Sequence, residues 1–336
     1  MKGFGLAACL LLPSLAAGQG LIPTRNHRAV SLAFYRWTPG NVGLESGESR
    51  WSVSWTEAND LRAAGSNLED CEVSRLLLEF RRALPGGLEA GFELPLLARH
   101  GGFLDGIIDW WHRNVLGWTD PLRDASPQGR ATIQGPDLGS FGSATGLGDA
   151  ALHVRKKAGR WQIGAALKLP TGDAGQLLGS GATDLAAAAE RDWRLGERWT
   201  LHAYGAAVLQ GRPTRLRGAR DVAWQAGFGV VWSPNSRDQW IAQWQHEDSA
   251  LRTGVAPLDA PHRLVTFGYR RLLGDGLVEA FFSEDRDLFN GSWPEGANVG
   301  PDFTVGLRYE AKVGRQRVPR AYGPSLRTRR LTPGRA

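Results

Sequence analysis

Apolar and polar side chains alternate with a period of two along most of the chain. In Trp51-Ser52-Val53-Ser54-Trp55-Thr56 the alternation is unbroken. Trp161, Ile163, Ala165, Leu167 and Leu169 interleave with Gln162, Gly164, Ala166 and Lys168, and Val222, Trp224, Ala226, Phe228, Val230 and Trp232 interleave with Gln225, Gly227 and Gly229. Phe303, Val305, Leu307, Tyr309 and Ala311 oppose Thr304, Gly306, Arg308, Glu310 and Lys312. Successive side chains of a strand point to opposite faces, so each run predicts one apolar and one polar face. The runs are about nine to eleven residues long, which is what a tilted strand needs to cross a bilayer. Strands of soluble sandwiches are nearer five or six residues.

The connections add a second regularity. Short ones fall near Leu84–Gly87, Ala158–Arg160, Leu195–Arg198, Ser233–Asp238 and Leu273–Gly276. Longer ones lie between them, near Asn59–Asp70, Arg99–Gly148, Thr171–Thr183, Gln210–Arg220, Ser249–Pro261 and Asp287–Pro301. Short turns on one side and long loops on the other are the pattern of an outer-membrane barrel, the short side being periplasmic. The fold class is therefore all-β, a transmembrane antiparallel β-barrel of about twelve strands between Glu48 and Val313. A strand within Arg130–Phe141 would raise the number to fourteen. Ala29–Thr38 is also strand-like but would make thirteen, and it reads as a plug or an extra pairing segment.

Composition sharpens the picture at the two ends. Lys2 followed by Phe4–Leu12 and Leu15–Ala17, with Ala16-Ala17-Gly18 behind them, has the form of an export signal. Residues 1–18 are expected to be a signal peptide, 19–47 a periplasmic or plug segment, 48–313 the barrel and 314–336 a basic disordered tail. Removal of the signal would leave Cys71 as the single thiol, which excludes an internal disulfide. The chain carries a net charge of +6, but seven Arg of the tail (Arg315, Arg317, Arg320, Arg327, Arg329, Arg330, Arg335) leave residues 1–313 at −1. A basic nucleic-acid-binding face across the fold is therefore not expected. Trp161, Trp193, Trp199, Trp232 and Trp240 flank short turns on the apolar strand faces, where an aromatic girdle at the membrane interface is expected.

Several motifs carry a family resemblance. Gly101-Gly102-Phe103-Leu104-Asp105-Gly106-Ile107-Ile108-Asp109 with His112 is followed by Gly146-Leu147-Gly148-Asp149 and Lys168-Leu169-Pro170-Thr171-Gly172-Asp173. Leu178-Gly179-Ser180-Gly181 with Asp184, Ser283-Glu284-Asp285 and Pro301-Asp302-Phe303 come next. This series resembles a family of Gram-negative exported proteins known as a domain of unknown function (number three-one-eight-seven), over nearly all of the mature chain. The Gly-Leu-Gly-Asp and Lys-Leu-Pro-Thr-Gly-Asp elements are also similar to outer-membrane proteins of phenol meta-cleavage pathways. The resemblance implies an outer-membrane barrel with no assigned activity.

Candidate chemistry is sparse. Phe103–Leu116 has the apolar spacing of a short amphipathic helix in the longest extracellular loop, so Asp105, Asp109, Trp111 and His112 are candidates for a constriction at the barrel mouth. The alternative is a lid that only shields the rim. Gly172, Asp173, Gly179, Ser180, Gly181 and Asp184 form a Gly-rich loop without the Gly-Lys-Ser/Thr of a P-loop. It reads as hairpin chemistry, with weak calcium binding through Asp173 and Asp184 as the sharper alternative. Arg75, Glu79, Arg81, Lys168, Arg308, Glu310 and Lys312 fall on polar strand faces as lumen-lining candidates, either a mutually neutralising network or the wall of a narrow pore. An outward Ser–His pair of a lipid hydrolase would need a third orienting group. His202 is on a polar strand face, and His246-Glu247-Asp248-Ser249 sits at a strand end without the His-x-Ser-Asn-Gly arrangement of such lipases, so no catalytic residue is expected; no metal or cofactor is expected either. The reading is a small-molecule channel or binding barrel, against a closed structural or assembly barrel and, third, a lipid-modifying enzyme. Its expected partners are outer-membrane lipid and lipopolysaccharide, the barrel-assembly machinery and a small-molecule solute.

Overall fold

The computed structural model describes residues 20–40, 44–117, 119, 121–285 and 303–313. The expected signal peptide, the Arg-rich tail, the connection Asp287–Pro301 and the Pro301-Asp302 pair lie outside the described residues. Fifteen strands form one antiparallel sheet. They are β1 (Ser49–Ala64), β2 (Asn67–Leu84), β3 (Leu88–His100), β4 (Thr132–Gly135), β5 (Gly139–Phe141), β6 (Ala144–Leu147), β7 (Ala151–Ala158) and β8 (Trp161–Lys168). The remainder are β9 (Asp184–Leu195), β10 (Trp199–Leu209), β11 (Val222–Trp232), β12 (Asp238–Glu247), β13 (His262–Leu273), β14 (Gly276–Asp285) and β15 (Phe303–Val313). Short helices are α1 (Ala29–Leu32), α2 (Leu104–Trp111), α3 (Pro121–Ala125) and α4 (Ala256–Asp259).

Closure comes from β1 against β15, in register from Ser49 opposite Val313 to Asn59 opposite Phe303. β6 and β7 both pair with β3 and make one stave, interrupted at residues 148–150. The barrel therefore has twelve staves, and no edge is left for a hydrocarbon environment that offers backbone groups no water. Outward positions carry Phe228, Trp224, Leu201, Leu307 and Phe267, all more than a third exposed, while their sequence neighbours turn inward and are buried. A solvent-exposed apolar belt of this kind is stable only against lipid.

Three expectations change on contact with the structure. The connection Asn59–Asp70 is no long loop: β1 and β2 run on to a two-residue turn at Gly65 and Ser66, with Ala64 opposite Asn67. Its polar residues hide the alternation because one face packs on the N-terminal segment and the other on α2 and α3. Within Arg130–Phe141, β4 and β5 form a small hairpin that pairs with β2 at Leu68–Asp70, above the ring, so it adds no stave. Ala29–Thr38, strand-like in sequence and read as a plug or an extra pairing segment, joins no ladder, so the pairing alternative falls; it contains α1 and otherwise irregular backbone.

The five tryptophans lie on the outer face beside the short turns, each 36–53% exposed. Trp199 and Trp232 stack at 5.9 Å, and Arg191 lies over both Trp161 and Trp193. A charge introduced in mid-belt must enter lipid. Phe228→Arg, near the middle of β11, should cost about 2–4 kcal/mol in a denaturant titration of the vesicle-refolded barrel. Ser46→Ala, at an exposed position in the turn before β1, should leave the midpoint unchanged.

Candidate functional site

The lumen is filled by residues 20–40, which form a strap that rises from the short-turn end, bends at α1 and descends again. Nearly every residue of the strap is buried. Its irregular backbone has few internal partners, so buried N–H and C=O groups need donors and acceptors from elsewhere. Wall side chains provide them. Ascending β12, Gln243 binds both the N–H (2.8 Å) and the carbonyl (3.1 Å) of Ile22. Two residues higher Gln245 donates to the Thr24 carbonyl, and two higher again Glu247 accepts from the Asn26 N–H. This ladder copies strand pairing, with side-chain amides in place of peptide groups. On the descending limb Asp184 accepts from Tyr35 N–H at 2.7 Å, and Gln225 grips Trp37 through both backbone groups. Glu190 accepts from the Trp37 indole and from Gly40 N–H.

At the apex Arg28 bonds Asp60 and Glu69 on β1 and β2, and Arg62 shares Glu69. Lower down, Arg155 lies 4.3 Å from the Trp37 ring centroid while pairing with Glu190 at 2.6 Å. Arg270 donates to the Gly20 carbonyl and pairs with Glu279.

The motifs of the sequence converge on this strap. Lys168 donates to Asp149 (2.6 Å), Ser180 (2.7 Å), the Ala182 carbonyl and, on the strap, the Ala33 carbonyl. Asp149 also accepts from the backbone N–H groups of Gly172 and Ser180. A Cβ on Gly179 would overlap the Asp149 carboxylate, so that glycine is needed where it stands. Asp184 is occupied by Tyr35 and Gly211 N–H, and Asp173 caps its own turn through Gly175 N–H. The two aspartates thus hold loops and strap.

The other predicted lumen residues form a second buried network. Arg308 pairs with Glu279 at 2.9 Å and with Glu310; Glu310 takes Arg81 and Arg50 at 2.7 Å; Glu79 lies 3.6 Å from Arg81. Lys312 reaches Glu48 at 3.4 Å. Arg75 lines a cavity of about 20 Å³ with Arg25, Glu93 and Lys168, room for a single water. Below the strap, an open recess of about 830 Å³ at the short-turn end is lined in part by Leu44, Glu89, Arg155, Glu190 and His202.

The predicted mouth helix lies elsewhere. Glu72 points outward, since it alternates with inward Glu69, Cys71 and Val73, and its carboxylate accepts from the N–H groups of Phe103, Leu104 and Asp105. Helix α2, continued by a wider turn over His112–Leu116, therefore packs on the outside of the wall. Gly102 has φ +66° and sits where a Cβ would overlap Glu72. Asp105 bonds Asn59 and Arg123, Asp109 bonds Gln128, and His112 is buried on the same face. Trp111 points away from the wall and is 48% exposed. None of the four enters the lumen as a constriction.

Sequence reasoning missed Gln225, Gln243 and Gln245, the residues that hold the strap. The available signal was Gln243-Trp244-Gln245-His246-Glu247, where amides and a carboxylate repeat on one strand face.

Two consequences are measurable. Removing Arg28 leaves Asp60 and Glu69 buried with reduced compensation, a loss of about 3–5 kcal/mol; Arg28→Met should expose residues 20–40 of the folded barrel to protease. His27 is buried with neither ring nitrogen hydrogen-bonded, and burial, aided by the Arg75 and Arg25 guanidiniums, holds its imidazole well below the ordinary value. The seated strap thus favours neutral His27, and its seating is retained above the ordinary histidine value and lost as pH falls below about 6.5. Protease sensitivity of the strap should rise between about pH 7.5 and about pH 5, and His27→Asn should flatten that dependence.

A family model described as "Protein of unknown function (DUF3187)" matches residues 30–282. No curated protein matches the sequence. Among solved structures, the chain is similar to the COG4313 outer membrane channel from Pseudomonas putida F1, with a TM-score of 0.53 and 15% identity over 81% of this chain and 97% of that one. It also aligns with the Ralstonia pickettii toluene transporter TbuX (TM-score 0.42, 8% identity, 81% of this chain and 90% of that one). The P. putida toluene transporter TodX aligns with a TM-score of 0.35 and 13% identity, over 80% of this chain and 89% of that one. The first of these likenesses shows a shared barrel fold.

Proposed function

Because the chain belongs to the DUF3187 family, whose description assigns no activity, we propose its role from its interior: an outer-membrane barrel that passes or binds small solutes and is closed by its own N-terminal strap. The observation that carries this reading is the manner of attachment. The wall closes on itself through the β1–β15 ladder, and the strap is held by side chains alone, so it can leave without opening the ring. Its departure would uncover Arg28's partners, the Gln ladder and the Lys168–Asp149 pair, a polar lining suited to solutes with hydrogen-bonding groups. The recess below the strap already opens to the short-turn end.

In this reading the chain is exported with loss of residues 1–18 and inserted by the barrel-assembly machinery. The five tryptophans then sit at the inner headgroup level of the outer membrane, and the apolar belt meets lipid and lipopolysaccharide. No enzymatic step is assigned. A closed structural barrel is the rival, favoured by the depth at which Arg28 is buried between Asp60 and Glu69.

Planar-bilayer recording separates the two. The full chain should be closed most of the time, deletion of residues 20–40 should give stable conductance steps, and Arg28→Met should open intermittently. A folded deletion variant that passes no current would establish the structural barrel.

A further inference from the structure

The outer face of β1–β3 carries a polar cluster that the lumen does not use. Glu57 on β1, Ser74 and Glu72 on β2 and His100 on β3 all point outward, and strand register brings them together, Glu57 opposite Ser74 and Glu72 opposite His100. Ligand atoms of Glu57, Glu72 and His100 lie within 4.8 Å of one another. His100 Nε2 is 3.2 Å from Glu57 Oε1 and 2.9 Å from Ser74 Oγ. The Ser74 hydroxyl donates to the other Glu57 oxygen.

Charge is out of balance here. Glu57 and Glu72 are about 1% exposed or less, and carboxylates so placed need a cation. Arg123 is taken up by Asn59 and Asp105, and Arg130 faces Asp70. Among the described residues His100, whose imidazole is a cation only when protonated, is the basic side chain within ion-pair distance of either glutamate. Glu57 Oε1 is buried and accepts no hydrogen bond although it faces that ring nitrogen. The two ligand atoms thus lie 3.2 Å apart without hydrogen-bond geometry between them, each also next to the Ser74 hydroxyl or its acceptor carboxylate.

A nucleophile relay does not explain the arrangement. Serine and carboxylate meet the same ring nitrogen, whereas a relay sets the acid on the opposite one. Metal coordination does explain it. Tetrahedral ligation at about 2.0–2.2 Å puts donor atoms about 3.3 Å apart, close to the His100–Glu57 separation. Three adjacent strands fix the donors, and the Glu72 carboxylate is held by three N–H groups at the start of α2, as metal-binding carboxylates are by their neighbours. His100 is partly exposed, which leaves a way in and an open fourth position. An imidazole beside two carboxylates selects zinc over calcium or magnesium, which prefer all-oxygen sets.

We propose that Glu57, Glu72 and His100, with the Ser74 hydroxyl beside them, form a zinc site on the outer wall beneath α2. Metal there would tie α2 to three staves at once through Glu72. The test is calorimetric titration of the refolded, chelator-stripped full chain with zinc chloride, and separately with calcium chloride. One zinc per chain is expected, with calcium weaker, and with affinity reduced at least about tenfold in both His100→Gln and Glu57→Gln. His246→Ala, which removes an outward histidine on β12, should bind as the parent does. Heat-modifiable gel migration reports folding; if His100→Gln does not fold, Glu57→Gln decides. Absence of saturable zinc binding, full affinity in the folded glutamine variants, tighter calcium than zinc, or loss in His246→Ala would each overturn the assignment. Conductance plays no part in this readout, so it stands or falls apart from the strap.

Discussion

The peptide groups of the membrane-embedded wall and of the strap must find partners without help from bulk water, the wall because lipid offers none and the strap because it fills the lumen. The wall meets the demand by closing on itself. The strap cannot, since it is neither helix nor strand for most of its length. Its N–H and C=O groups are met by glutamine, aspartate and glutamate side chains aimed inward from β9, β11 and β12, and by Lys168 and Arg270. Inward polarity, which in a wide porin would face water, here serves as the strap's hydrogen-bonding complement.

The same constraint explains why so many charges sit in the lumen. Arg308, Arg81 and Arg50 converge on Glu310, and Arg270 and Arg308 on Glu279. Burial of either sign alone would be prohibitive, and pairing across neighbouring strands makes it tolerable. The family motifs follow the same logic. They lie far apart in sequence, yet Asp149, Lys168, Ser180 and Asp184 gather at one corner and reach the strap at Ala33 and Tyr35. The Gly-Gly-Phe-Leu-Asp element does separate work on the outer wall, where Glu72 caps its helix.

Much of the barrel was legible because membrane strands carry a clean two-residue period and lie between turns of alternating length. About twelve staves follow from that, with fourteen left open until β4 and β5 are seen to stand above the ring. The pattern failed where both faces of a strand are polar: above Thr56, β1 and β2 meet the strap on one side and α2 on the other, so no apolar period marks them. The amphipathic period of Phe103–Leu116 identified a helix but could not say which side of the wall it would take, because that depends on outward Glu72 and Asn59. Lys168, Arg308 and Glu310 were readable as inward from parity. Their partners were not, since pairing depends on strand stagger. A plug was one of the readings open for residues 19–47, but the course of the strap was not readable, because its order is imposed by residues roughly two hundred positions away.

The course of the strap has a topological consequence. Both limbs of residues 20–40 leave by the same mouth, Gly20 near Arg270 and Leu44 near Glu89. A bight of chain pushed into a ring from one side is never threaded through it. It can slip in after the ring has shut and slip out again without a free end passing any constriction. Seating, and the withdrawal proposed above, would therefore be unknotted events, open to a pull or a push from the short-turn side and independent of the order in which the staves assembled.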